Sequence, residues 1–171
     1  MPYRVDREGR GGFTLLEIMI ALAIVGIVVV LAVSNFQGMM EKYRVEGETK
    51  QMFADLMDAR GRAMQRNRAF FVQVNANDYQ TYEDTFPAPD GNGALDNDTL
   101  VANATVKHQI FTANLGGGNF SFNRNGIASV AGTGTIRLSS TTLPDYDCLT
   151  IKATRIKMGQ YNAAGNTCAE K

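Results

Sequence analysis

Glu17 is the one charged residue in a stretch that is otherwise apolar. Phe13, Thr14, Leu15 and Leu16 precede it, and residues 18–33 follow without a charge. A carboxylate inside a membrane costs roughly 2.5–3.5 kcal/mol at a helix centre and less near the interface, so a chain that keeps one there uses it. The chemistry open to it is charge neutralisation, in which a cation at the same depth turns two costly charges into one pair. The plain alternative is a glutamate reaching out to the lipid headgroups. Gly12, just upstream, offers a protease an extended and unhindered backbone.

The other chemistry-bearing residues are sparser. Cys148 and Cys168 are the only cysteines. In an exported chain they read as one disulfide closing a loop of about 20 residues, which stabilises by roughly 3 kcal/mol. Otherwise they are two reduced, buried thiols. His108 is the only histidine and has no Cys or carboxylate at metal-ligand spacing. No Ser/His/Asp set assembles around it. Gly116 to Gly118 lacks the lysine and following helix of a phosphate loop. Asp90, Asn92, Asp96, Asn97 and Asp98 put hard oxygens in one loop, but no closing glutamate completes a calcium pattern, so the loop reads as a solvated turn. The chain therefore reads as a non-enzyme, with no cofactor and no metal.

Two basic groups remain. Arg60, Arg62, Arg66 and Arg68 sit where a helix should end, a favourable place for cations or, alternatively, an inter-subunit or DNA contact. Arg155 and Lys157 alternate, so both face one side of a strand, with Lys152 just before them. They read as a solvated strand face or, alternatively, as contacts for nucleic-acid phosphates. Lys+Arg and Asp+Glu are both 17, so no bulk charge draws the chain to DNA or to an anionic membrane.

The elements that hold these residues follow from periodicity. Residues 13–33 number 21, or about 31 Å of helix, enough to cross a bilayer core. The first ten residues carry three Arg against two acids, which favours a cytoplasmic N-terminus and an external C-terminus. Ala32, Val33 and Ser34 weakly imitate a secretory cleavage site, but Glu17 would interrupt the start of that signal's apolar core. The helical pattern then continues. Val45, Thr49, Met52, Leu56, Ala59 and Ala63 recur at steps of four and three, with Phe53, Met57 and Met64 widening the stripe. Glu46, Glu48, Lys50, Asp55, Asp58, Arg62 and Arg66 form the opposite face. One helix over 13–66 would be about 80 Å long.

Beyond Asn67 the period changes to that of strands. Strands are expected over 70–74, 79–82, 100–111, 120–122, 134–140, 148–152 and 155–160. The last two are separated because Leu149 and Ile151 fall on odd positions whereas Ile156 and Met158 fall on even ones. Such a shift in phase requires a turn or bulge at Ala153 and Thr154.

Gly12, Phe13, Thr14, Leu15 and Glu17 ahead of an apolar run resemble the class III leader of type IV pilins and type II secretion pseudopilins. Within that superfamily three further features are similar to the GspH/FimT group of minor pilins and pseudopilins. These are Asp58-Ala59-Arg60 through Arg66-Asn67-Arg68 at the helix end, residues 120–126 with 134–138, and the closing hairpin. The resemblance leaves out an insertion at 84–119. It implies an α+β fold of ladle shape, with a long N-terminal helix packed on a C-terminal antiparallel β-sheet domain. It also implies three regions: a leader over 1–12; a helix over 13–66, transmembrane and filament core to 34 and amphipathic over 35–66; and an external β-domain over 67–171 that ends in a disulfide loop. A prepilin peptidase would cut after Gly12, Phe13 would be N-methylated, and Glu17 would pair with a neighbouring subunit's N-terminal amine.

The implied product is a single-pass protein of the bacterial inner membrane, with its C-terminal domain in the periplasm, or at the cell surface once in a filament. Its partners would be lipid, other subunits and the inner-membrane assembly platform. Its task would be filament assembly and secretion. The alternative is a FimT-like pilin that binds DNA for uptake through a glycine-arginine-x-arginine hairpin, here altered to Thr154-Arg155-Ile156-Lys157. Pilins commonly carry a proline where this chain has Ser34, so the resemblance leaves open whether the helix kinks there.

Overall fold

The computed structural model describes residues 12–89 and 91–171, and only the backbone of 31–35. The leader expected over 1–12 therefore lies outside the described residues except for Gly12, as does Asp90 of the oxygen-rich loop. The described residues fall into two compact units, one up to residue 39 and the other from residue 40 to 171.

Helix α1 spans Leu15–Arg66. Thr14 caps its start, where the Glu17 N–H donates to Thr14 Oγ1 at 3.2 Å. Thr14 and Glu17 thus stand at the cap and third positions of a capping-box pattern, which neutralises an orphan donor of the first turn. At the far end Asn67 takes a positive φ of 55° and the Arg68 N–H donates to Ala63 O at 3.2 Å. This is a Schellman stop, with asparagine tolerating the left-handed conformation usually given to glycine.

In the second unit the expected stripe is the core. Val45, Thr49, Met52, Leu56, Ala59 and Ala63 are all buried. They meet the inner faces of two antiparallel sheets rather than one. The first has the order β3-β2-β1-β5, with β1 Phe70–Val74, β2 Asp78–Glu83, β3 Thr99–Thr105 and β5 Asn119–Phe122. The second has the order β4-β6-β7-β8-β9, with β4 Ile110–Ala113, β6 Thr133–Leu138, β7 Cys148–Lys152, β8 Arg155–Asn162 and β9 Thr167–Glu170. Alternation sets which side chains turn inward. Phe70 and Val72 face Phe122 and Phe120 across β1 and β5, and Phe120 and Phe122 meet edge to face at 5.5 Å. Ile136, Leu149 and Ile151 line the other sheet with no exposure.

Besides this second sheet, the structure departs from the sequence expectations in three places. The single strand expected over 100–111 is two strands, β3 and β4, one in each sheet, because the chain leaves the first sheet after Thr105 and re-pairs with β6 from Ile110. The tail after 160 adds a ninth strand, β9, paired with β8. Its four residues, Thr-Cys-Ala-Glu, are too few and too polar to announce a strand by periodicity. Finally, Met57 and Met64 are exposed rather than part of the core stripe.

The phase shift at Ala153 and Thr154 has a simple origin. Lys152 pairs with Arg155 and Ile151 with Ile156, so the two residues between form a tight hairpin loop. Partners across a two-residue loop have position numbers of opposite parity. Inward residues therefore change from odd on β7 to even on β8.

Candidate functional site

Every described side chain from 12 to 30 is exposed, and Glu17 is the only charged one among them. Leu22 and Ile27 show about two-thirds of their surface, 66% and 64%. Apolar burial is worth roughly 25 cal/mol per Å², so a helix surface of this kind is stable only when lipid or other protein covers it. Glu17 sits in the first turn, where the positive end of the helix favours a carboxylate. The capping role of Thr14 was not foreseen from the sequence, although the pattern Thr-x-x-Glu ahead of an apolar run signals it. Among the described residues, no helix is long and apolar enough to cross a membrane. The run expected over 13–33 continues past residue 30 into 31–35, whose side chains are not described.

The helix face opposite the apolar stripe is partly claimed by the β-domain. Glu46 is buried and accepts the Asp145 N–H at 2.9 Å, with Lys50 at 3.5 Å on its other oxygen. Glu48 and Glu41 hold His108 between them, with Nδ1 to Glu48 Oε2 at 2.6 Å and Nε2 to Glu41 Oε1 at 2.8 Å. Glu48 also receives the Lys107 N–H at 3.1 Å. Burial alone would lower the His108 pKa, but hydrogen bonds to Glu48 and then Glu41 outweigh it and raise the pKa above its ordinary 6.5. Spacing along the chain could not show this cluster, because its members lie 60 and 67 positions apart.

The arginines at the helix end are largely spent within the molecule. Arg62 bridges Asp58 at 2.6 Å, Arg66 pairs with Glu83, and Arg68 donates to the Pro89 carbonyl. Arg60 lies against the Gly126 turn, and its buried Nε has no hydrogen-bond partner among the described residues. Gly126 has φ +70°, and a Cβ there would come within 2.9 Å of Met64 Sδ, so both conformation and space require glycine.

Arg155, Lys157 and Lys152 converge on one carboxylate. Glu170 of β9 lies 3.0 Å from Lys152 Nζ, 3.3 Å from Arg155 and 3.3 Å from Lys157 Nζ. The hydrogen bond from Lys152 leads the effects that hold its pKa down to about 2. Cys148 and Cys168 form a disulfide between β7 and β9, across β8. Gly159 of β8 lies beneath it, where a Cβ would meet Cys168 Sγ at 2.9 Å and the Ala169 carbonyl oxygen at 2.3 Å. On the same sheet Arg137 stacks between Phe111 and Tyr161, at 4.5 and 4.2 Å from the ring centres. Gly159 and Glu170 were not singled out in the sequence, since both gain meaning only from β9.

The oxygen-rich loop uses its carboxylates on itself. Buried Asp84 accepts the Asn92 and Gly93 N–H groups at 3.0 and 2.9 Å, and Asp98 accepts those of Thr85 and Phe86. Among the described residues, no three His, Cys, Asp or Glu side chains are grouped to hold a metal.

An exposed apolar helix segment, and a β-domain cored by the second half of that helix, are the α+β architecture of pilin-like subunits. The sequence agrees in both parts. The prokaryotic N-terminal methylation motif matches residues 8–33, and the family described as type II transport protein GspH matches residues 48–154. The chain belongs to the GspH family. Its fold is similar to that of the minor pseudopilin EpsH from the type II secretion system of Vibrio cholerae, at 13% identity and a TM-score of 0.51, over 68% of this chain and 96% of that one. It is also similar to that of the type IV minor pilin FimU of Pseudomonas aeruginosa, at 14% identity and a TM-score of 0.52, over 70% and 91%. No curated protein matches the sequence. The fold is that of minor pilins and pseudopilins.

Proposed function

We propose that the protein is a minor subunit of a type II secretion pseudopilus or a type IV pilus, acting in filament assembly and so in secretion. The observation that carries this reading is the exposed apolar helix with its single carboxylate, Glu17. Water does not tolerate that surface, whereas a bilayer before assembly and a bundle of like helices after it both would. The precursor is anchored once in the inner membrane, with its N-terminus in the cytoplasm and its β-domain in the periplasm. A prepilin peptidase removes residues 1–12, and Phe13 becomes the methylated N-terminus. Glu17 then neutralises the amine of a neighbouring subunit as the helix leaves lipid for the filament. The work is mechanical, and the β-domain gives the subunit its surface.

DNA uptake has less behind it. Arg155 and Lys157, the residues it would use, are already paired with Glu170. The experiment for the main reading is an intact mass and N-terminal sequence of the protein purified from its native membrane. A chain that begins at methylated Phe13 and is two hydrogens lighter than its reduced form supports it. A chain that begins near Asn35, or still carries residues 1–12, overturns it.

A further inference from the structure

Of the four sheet edges, three are guarded. Residues 127–129 cover β5, with the Ser129 N–H donating to Ser121 O at 2.8 Å and a bridge between Phe122 and Ala128. Strands β4 and β9 have four residues each, and β9 carries Glu170. Strand β3 is different. It has seven residues, Thr-Leu-Val-Ala-Asn-Ala-Thr, with no charge and no proline, and most of it is exposed. A long, uncharged edge strand is a template for pairing with another chain.

The ladder shows which groups are free. The Val106 N–H donates to Asn77 O at 2.9 Å, so Ala104 with Tyr79 and Ala102 with Thr81 are the bonded pairs that follow at spacings of two. The N–H and C=O groups of Asn103 and Thr105 therefore point away from β2. They meet no partner among the described residues. Beside this edge runs a groove of about 140 Å³ between β3 and α1. Ala102 and Ala104, being small, leave it open, and Asp55, Asp58 and Arg62 line its helix side. Two carboxylates against one guanidinium leave the groove one negative charge in excess. Asp58 keeps more than half of its side-chain surface exposed despite its bond to Arg62.

We propose that β3 is a docking edge for an extended segment of another protein, which adds as a strand and places a basic side chain at alternate positions over Asp55 and Asp58. Backbone pairing gives such a contact its affinity, and the side chain over the groove gives it selectivity. The strand of a second copy of this chain would bring no cation, because β3 has none. The inference does not depend on the filament reading, since its test reads the edge itself.

The test uses the full-length chain in detergent and the probe peptide acetyl-Thr-Arg-Val-Arg-Thr-amide, with a control carrying Glu in place of both Arg. Amide hydrogen exchange is followed at Asn103 and Thr105. The Arg peptide should slow exchange at both amides, and the Glu peptide should do so at least tenfold less effectively. Asn103→Pro removes an N–H that the fold does not use, so it should keep the fold and lose the protection. Asp55→Asn with Asp58→Asn should erase the preference for Arg. No slowing at millimolar Arg peptide, equal protection in Asn103→Pro, or equal binding of the Glu peptide would each overturn the proposal. So would protection that grows with protein concentration alone, which would assign the edge to a second copy.

Discussion

Glu170 Oε2 lies 3.3 Å from Lys157 Nζ, and the same carboxylate group also holds Lys152 and Arg155. One acid on the last strand therefore disciplines all three cations that a nucleic-acid reading of the closing hairpin would need. Glu170→Gln keeps the shape and removes the charge. The variant should bind duplex DNA at low salt several-fold more tightly than the native chain, with a steeper salt dependence. Adding Arg155→Ala and Lys157→Ala should abolish the gain. Filter binding across a salt series decides it, and native binding as tight as that of the variant would show that Glu170 does not restrain these cations. The restraint should hold through ordinary pH. A carboxyl lowered to about 2 contributes above its ordinary 4.5 and loses that contribution only as pH falls toward 2.

His108, held between Glu41 and Glu48, makes stability depend on pH in the opposite direction. Its folded pKa lies above 6.5, so the folded state binds the proton more tightly than the unfolded chain does. The contribution is complete below 6.5 and is lost as pH rises through the folded value. Urea midpoints of the native chain and His108→Gln should differ at pH 5.5 and converge as pH rises above neutrality. A gap that stays constant across that range would mean the histidine acts by packing alone.

The disulfide and Gly159 make a second stability claim. Opening the bond with Cys168→Ser should cost about 3 kcal/mol, read from urea unfolding under non-reducing conditions. Gly159→Ala places a methyl against Cys168 Sγ and a backbone carbonyl, and overpacking of this kind costs typically 1–3 kcal/mol. The two effects share one contact, so they should not add. With the bond already open, Gly159→Ala should cost measurably less.

How much of this was legible depends on how far apart the partners lie in sequence. The core stripe from Val45 to Ala63 could be read because helical period 3.6 repeats it within one element, and all six residues proved buried. The hairpin at Ala153 and Thr154 could be read because a shift in phase is also local. The chain's passage between sheets after Thr105 was not legible, because Leu100 and Ile110 belong to one apolar-polar run whose midpoint carries no breaker. The same holds for the candidate site. Glu17 announced itself by standing in an apolar run. The partners of Glu46, Glu48 and Arg155 sit on elements brought near only by the fold, so neither the helix face tied to the β-domain nor the pairing of Arg155 could be read from spacing.

Under the proposed function Glu17 carries two roles that a single substitution can confuse. Its N–H is held by the Thr14 cap, and its side-chain type suits the third position of a capping box. An alanine there would weaken the helix start as well as remove the charge. Glutamine serves the cap as well as glutamate does, so Glu17→Gln isolates the charge. Under the proposed function this variant inserts and is trimmed normally but fails to enter filaments, because the neighbour's amine is left unpaired in an apolar setting. Thr14→Ala does the reverse. It costs the helix about 1 kcal/mol at its cap yet keeps the carboxylate, and it should assemble to near-native levels. Sheared filaments probed for each variant separate the two. Normal incorporation of Glu17→Gln, or loss of both variants alike, would assign Glu17 to the helix start rather than to assembly.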